Sequence, residues 1–154
     1  MSLKFAATGD TIITCPYTRD YEGYEALAAW LRQADVRPYI DDMPVVMQAA
    51  DLILCRAGAS TLAELTATGK PAVLIPSPYV TDNHQEKNAL QLVNAGAAVM
   101  LREEECTGGL LHATVERLLA DEEGLRRMSS CGRAMGVPDS AERIAACVRN
   151  DLKA

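Results

Sequence analysis

Short apolar runs recur along the chain, separated by stretches whose apolar positions fall three and four residues apart. The runs at 11–15, 36–40, 52–55, 72–75 and 97–101 read as β-strands. Two of them, LILC at 52–55 and AVLI at 72–75, are apolar at every position, which suits strands covered on both faces. Between them, residues 21–33 place Tyr24, Leu27, Ala28 and Leu31 on one helical face. Further helices are predicted at 44–50, 61–68, 83–94, 109–120, 122–135 and 140–152. Asp41 or Asp42 is placed to cap the segment 44–50. Gly69 and Gly96 stop the helices that precede them, and Pro138 breaks the chain before the last one. Alternating strands and helices predict an α/β fold: a Rossmann-like parallel sheet with helices on both faces, one domain over residues 1–154.

The opening residues, MSLKFAATGD, contain neither a clear strand nor a glycine-rich strand–helix turn. A doubly wound domain normally opens with a strand that becomes central in its sheet. Here the readable alternation begins at what would be the second strand. The sheet is therefore expected to lack its first strand, with the N-terminus truncated. The unpaired edge so left would invite self-association.

Composition narrows the function classes. Hydrophobic residues make up 49% and charged residues 23%, ordinary values for a globular domain. The formal net charge is −6 and the basic residues are scattered, which argues against a nucleic-acid groove. A local anion site made of backbone N–H groups stays open, since net charge does not report it. Five cysteines without a CxxC pair, and only two histidines, offer no metal-ligand spacing and point to reduced thiols in the cytoplasm. No run is long and apolar enough to span a bilayer, and no signal-peptide pattern follows Met1.

Three segments carry candidate chemistry. In LILCRAGASTLAEL, a strand ends at Cys55, a turn of small residues follows, and a helix begins near Thr61. The free N–H groups at such a helix start, with Ala57, Gly58, Ala59 and Ser60 allowing close approach, suit an anionic diphosphate. The same residues also fit a plain turn with a capping box, Thr61-x-x-Glu64. In PSPYVTDNHQEKN, two prolines stiffen a loop before Asp82, Asn83, His84, Gln85 and Asn88, whose donors and acceptors suit sugar hydroxyls. A solvated loop with Asp82 or Asn83 as helix cap is the alternative. In RPYIDDM, a planar base could rest on Ile40 and Met43 at a strand end, although cap and core residues explain this segment as easily. No Ser–His–Asp, Cys–His or paired-carboxylate arrangement is visible, so no catalytic residue is assigned.

In this order and spacing, YIDDM, ADLILCRAGASTLAEL, GKPAVLIPSP and DNHQEKNA resemble the C-terminal half of one bacterial family. This is the UDP-N-acetylglucosamine transferase family that makes lipid II, the MurG family. The resemblance runs from about Gly9 to the C-terminus. It implies a GT-B architecture of two Rossmann-like halves, of which the C-terminal half binds the UDP-sugar. Ile40 would meet the uracil through its backbone, with Tyr39 and Met43 nearby. Ala59, Ser60 and Thr61 would hold the diphosphate, and Glu64 the ribose hydroxyls. His84 and Gln85 would face the sugar, Asn88 would support their loop, and Arg56 lies beside the phosphate turn. No cofactor or metal is implied.

The family's GGSxGA-type loop is not found, nor is its N-terminal half, which supplies the acceptor loops, the candidate base and a membrane-facing patch. The resemblance thus implies an intact enzyme peripheral on the cytoplasmic face of the cell membrane, acting on a lipid-linked acceptor. This chain alone is expected to be inactive. Rival readings are the catalytic subunit of a two-component transferase of dolichol-linked glycans, a natural-product or glycolipid glycosyltransferase, and a non-catalytic nucleotide-binding or association module.

Overall fold

Leu52–Cys55 is buried at every position, as a strand between two helical layers must be. Its alternate residues serve different layers. Ile53 and Cys55 join Ala72 and Leu74 in one buried cluster with Ala57, Leu62, Leu65, Ala89 and Leu92. Leu52, Leu54 and Val73 pack on the other face against Leu111 and Leu118. The computed structural model describes residues 4–8, 11–14, 34–36 and 40–151; the helical pattern at 21–33 and Tyr39 lie outside the described residues.

Among the described residues, six strands form one sheet: β1 (Lys4–Thr8), β2 (Thr11–Thr14), β3 (Ala34–Val36), β4 (Leu52–Cys55), β5 (Ala72–Leu74) and β6 (Ala98–Met100). Their order is β3-β2-β1-β4-β5-β6. β4, β5 and β6 run parallel, registered as Ile53↔Ala72 and Ala72↔Ala98, and β2 runs parallel to β3. Six described helices follow: α1 (Met43–Ala49), α2 (Ala59–Thr68), α3 (His84–Asn94), α4 (Gly108–Ala120), α5 (Glu122–Met135) and α6 (Ser140–Asp151). A 3-10 turn, Thr81–Asn83, leads into α3.

The N-terminal expectation needs correcting. A strand does occupy the central position, because β1 pairs with β4 on one side and β2 on the other. It runs antiparallel to both, and KFAAT has no β-branched run to announce it. The strand order is that of a dinucleotide-binding sheet, whose ligands bind beyond the carboxyl ends of the strands near the order reversal. With β1 covering the edge of β4, the reason given for self-association is removed. The strand expected at 36–40 pairs at Ala34–Val36 instead. Residues 37–39 of that expected strand lie outside the described residues.

Helix ends follow local chemistry. Gly69 closes α2 in the left-handed region at φ 66°, and the Lys70 N–H returns to Leu65 O at 3.0 Å. The Lys70 ammonium then donates to Gln48 O and Ala50 O, at 2.6 and 2.9 Å, where the C-terminus of α1 is negative. Asp42 does sit at the N-cap of α1, but no side chain bonds to that helix end. α5 crosses the end of α2 at contact distance through glycines. The Cα of Gly69 lies 3.8 Å from where a Cβ on Gly132 would stand, and a Cβ on Gly136 would meet Thr66 O at 2.7 Å. Burying Ile53, Leu65 and Leu74 between these layers stabilises the fold by about 1.5–3 kcal/mol each.

Candidate functional site

The β4–α2 turn begins where Cys55 leaves the sheet and ends at Gly58, the N-cap of α2. Gly58 O accepts from the Leu62 N–H at 3.0 Å, and no side chain caps this end. Helix geometry gives the first-turn N–H groups no carbonyl of their own, so the turn presents donors and the positive end of the dipole. α2 starts at Ala59, two residues before the expected start. Thr61 is therefore inside the first turn, and Thr61-x-x-Glu64 is not a capping box. Ala59, Ser60 and Glu64 are exposed, and Ser60 and Glu64 share a face four residues apart. Thr61 is 2% exposed, so its side chain belongs to the interior and its backbone to the turn.

Gly58 is informative because neither conformation nor packing demands it. Its φ is −70°, open to any residue, and an added Cβ would be 3.9 Å from Thr61 Oγ1, an ordinary contact. A side chain there would instead stand in the space over the helix start.

Arg56 does not extend freely toward that space. Its guanidinium donates to Ile75 O at 3.2 Å and Pro76 O at 3.3 Å, and pairs with the Glu103 carboxylate. Arg56 thus ties the end of β4 to the end of β5 and to the turn after β6. Asn88, on α3, donates its side-chain amide to Ala57 O at 3.3 Å and so supports the same turn.

The loop after β5 is held from within. Gln85, buried on the first turn of α3, accepts from the Ser77 N–H at 2.9 Å. His84 Nδ1 lies 2.9 Å from Thr81 O. Asp82 and Asn83 both adopt positive φ, at 54° and 49°, a conformation that costs non-glycine residues energy. Asn83 occupies the N-cap of α3 without a side-chain cap bond; its amide reaches forward to the Glu86 carboxylate. Arg102 Nε and Nη2 also grip Glu86 Oε1, at 3.0 and 2.8 Å. The Asn83 hydrogen bond and then Arg102 hold the Glu86 carboxyl below its ordinary range, and Glu86 raises Arg102 in turn. Nearby, burial pushes the Cys106 thiol up, opposed by the Arg56 charge.

The third segment joins the other two through the core. Ile40 is 5% exposed and shares a buried cluster with Ala57 and Leu62, with Met43 packed against it. Its side chain is therefore not a platform for a base, which corrects the side-chain half of that reading. Its backbone lies beyond β3. Arg102, Glu103 and Glu86 had no signal of their own in the sequence; REEE reads as a solvated charge run. Among the described residues, no group of three or more His, Cys, Asp or Glu could hold a metal ion.

A family model, the glycosyltransferase family 28 C-terminal domain, matches residues 5–144. The chain is 50% identical over 109 residues to UDP-N-acetylglucosamine--N-acetylmuramyl-(pentapeptide) pyrophosphoryl-undecaprenol N-acetylglucosamine transferase 1 of Bacillus cereus, covering 71% of this chain and 30% of the relative. The transferase of the same name (without the numeral) from Halalkalibacterium halodurans is 47% identical over 118 residues, covering 77% and 32%. The chain thus spans less than a third of the length of these curated relatives. Among solved structures, MurG of Acinetobacter baumannii superposes with a TM-score of 0.70 at 31% identity, over 77% of this chain and 34% of that one. The kitacinnamycin glycosyltransferase has a TM-score of 0.67 at 21% identity, over 87% and 41%, a likeness of fold. These neighbours are GT-B glycosyltransferases, and the Rossmann-like half assigned from the sequence holds.

Proposed function

The chain belongs to the glycosyltransferase family 28 C-terminal domain family, and on that premise we propose that it is the donor-binding half of an enzyme transferring N-acetylglucosamine from UDP to a lipid-linked peptidoglycan precursor. Residues 1–154 serve as a single domain in this reading. The observation that carries it is the uncapped start of α2, kept open by Gly58 and flanked by the amide-rich loop that leads into α3.

The diphosphate lies over α2, met by backbone N–H groups of Ala59, Ser60 and Thr61. Negative charge grows on UDP as the bond to the anomeric carbon breaks, and these donors stabilise it without reorganising. One such donor is worth about 3 kcal/mol in comparable acyl-transfer sites. Glu64, on the same face as Ser60, accepts from the ribose hydroxyls. Uracil pairs with the backbone at Ile40, with Tyr39 and Met43 beside it. His84 and Gln85 face the sugar. Arg56 and Asn88 position the turn rather than touch the ligand, since each is already bonded to loop carbonyls. The acceptor hydroxyl attacks from the opposite side with inversion, and the base that deprotonates it comes from outside these residues.

The relatives' names specify an undecaprenol-linked acceptor, which supports placing the whole protein peripherally at the cytoplasmic face of the cell membrane. No described helix is long and apolar enough to cross that membrane.

Calorimetric titration with UDP tests the site. Glu64→Ala weakens UDP binding by roughly tenfold, the value of one hydrogen bond to a charged group. The fold is retained, because Glu64 is exposed and lies beyond the capping position of α2. A lowered melting temperature with unaltered UDP affinity would refute the ribose role.

A further inference from the structure

The turn after β6 holds two adjacent charged residues whose side chains reach different parts of the site. Glu103 pairs with Arg56, which also donates to Ile75 O and Pro76 O at 3.2 and 3.3 Å; this contact holds the β4–α2 turn. Arg102 grips Glu86 through two donors, at 3.0 and 2.8 Å, and Glu86 in turn takes the Asn83 amide. That contact holds the Asp82–Asn83 turn, two consecutive non-glycine residues at positive φ, immediately before His84 and Gln85. Asp and Asn adopt this conformation more readily than other side chains, but two in succession still benefit from contacts that hold them. The Asn83–Glu86–Arg102 chain fixes this turn from the side of α3 and β6, beside the His84 Nδ1 contact to Thr81 O at 2.9 Å.

We infer that Arg102 and Glu103 are a positioning pair for the donor site, each setting one of its two ligand-facing loops from a single short turn. The inference rests on the donor-site reading above. Neither residue touches the ligand. Neither is a core requirement, since the Arg102 side chain is 51% exposed and that of Glu103 is 33% exposed. The turn that carries them is itself fixed, by Glu105 N–H to Arg102 O at 3.0 Å and Cys106 N–H to Glu103 O at 3.2 Å. β6 stands beside β5, so the pair transmits the sheet's geometry to both loops. The β4–α2 turn meets the nucleotide diphosphate, whereas the Asp82–Asn83 turn precedes the residues that meet the sugar. The two residues should therefore act on different parts of the donor.

The test compares Glu103→Gln and Arg102→Gln in the 154-residue chain, titrated with UDP and with UDP-N-acetylglucosamine. Glu103→Gln weakens both ligands by a similar factor, ~5-fold, because a partly buried Arg56 loses its counter-charge. Arg102→Gln weakens UDP-N-acetylglucosamine ~3-fold more than UDP, in keeping with an exposed pair. Equal losses of both ligands in both variants, or none, would overturn the assignment.

Amide hydrogen exchange in the ligand-free chain separates this failure from a failure of the donor-site reading. Glu103→Gln speeds exchange of the Leu62 N–H, bonded to Gly58 O, and Arg102→Gln that of the Asn83 N–H, bonded to Val80 O. If the unaltered chain binds neither ligand, the donor-site reading falls and the positioning role in that site falls with it, whatever the exchange rates. If the chain binds and exchange at these two amides does not respond selectively, the positioning pair alone is refuted.

Discussion

At Gly58 the backbone is extended, with φ −70° and ψ 143°, and an added methyl would meet nothing closer than Thr61 Oγ1 at 3.9 Å. The protein therefore gains little from glycine here, while a diphosphate over the helix start gains room. Gly58→Ala should lower stability by no more than about 1 kcal/mol, the difference between these residues at an N-cap. It should lower UDP affinity by ~10-fold or more, because the methyl occupies the space of the ligand. Thermal melts beside calorimetry check both halves, and an unaltered affinity would place the diphosphate elsewhere. Sequence spacing gave Thr61 and Glu64 two competing roles, and one structural fact removes the capping box. The helix begins at Ala59, so Glu64 lies too far along α2 to bond back to its start. Spacing could not show this, since a helix boundary inside a run of small residues has no marker of its own. Arg56 shows the reverse limit. Its place beside the turn was legible, but its three acceptors come from residues 75, 76 and 103, which only the folded sheet brings near.

Among the elements, those set by long-period hydrophobic patterns or strong stop signals were readable. α5 begins and ends where the sequence placed it, from Glu122 to Met135, bounded by the Asp121 cap and Gly136. The apolar runs at β4 and β5 likewise announced strands buried on both faces. β1 was not readable, because KFAAT is short and weakly apolar and its place comes from pairing on both sides. The close passage of α5 over α2 was also invisible. It depends on glycines at 69 and 136, far apart in sequence, the first for its positive φ and the second for space. Gly136 has ordinary φ, yet a Cβ there would stand 2.7 Å from Thr66 O. Gly136→Ala should therefore destabilise the fold by about 1–3 kcal/mol through overpacking. UDP affinity should hold, because the contact is at the opposite end of α2 from the ligand. Denaturant melts measure the first quantity, and an undiminished midpoint would show that α5 can shift without cost.

The described residues combine a sheet in dinucleotide-binding order with the two loops of the proposed site at the carboxyl ends of β4 and β5. It spans less than a third of its curated relatives. The resemblance implies that the acceptor loops and the base belong to the family's other half, so on the proposed reading the 154-residue chain should bind donor without turning it over. An assay with UDP-N-acetylglucosamine and a lipid-linked acceptor analogue should stay at background; product above background would place catalytic groups in this half. The central claim is narrower and can be tested first. An amide-resolved NMR titration of the chain with UDP should shift the signals of Ala59, Ser60, Thr61 and Glu64 together, saturating as one site. Shifts confined to other elements, or none at millimolar UDP, would contradict a donor site at the start of α2.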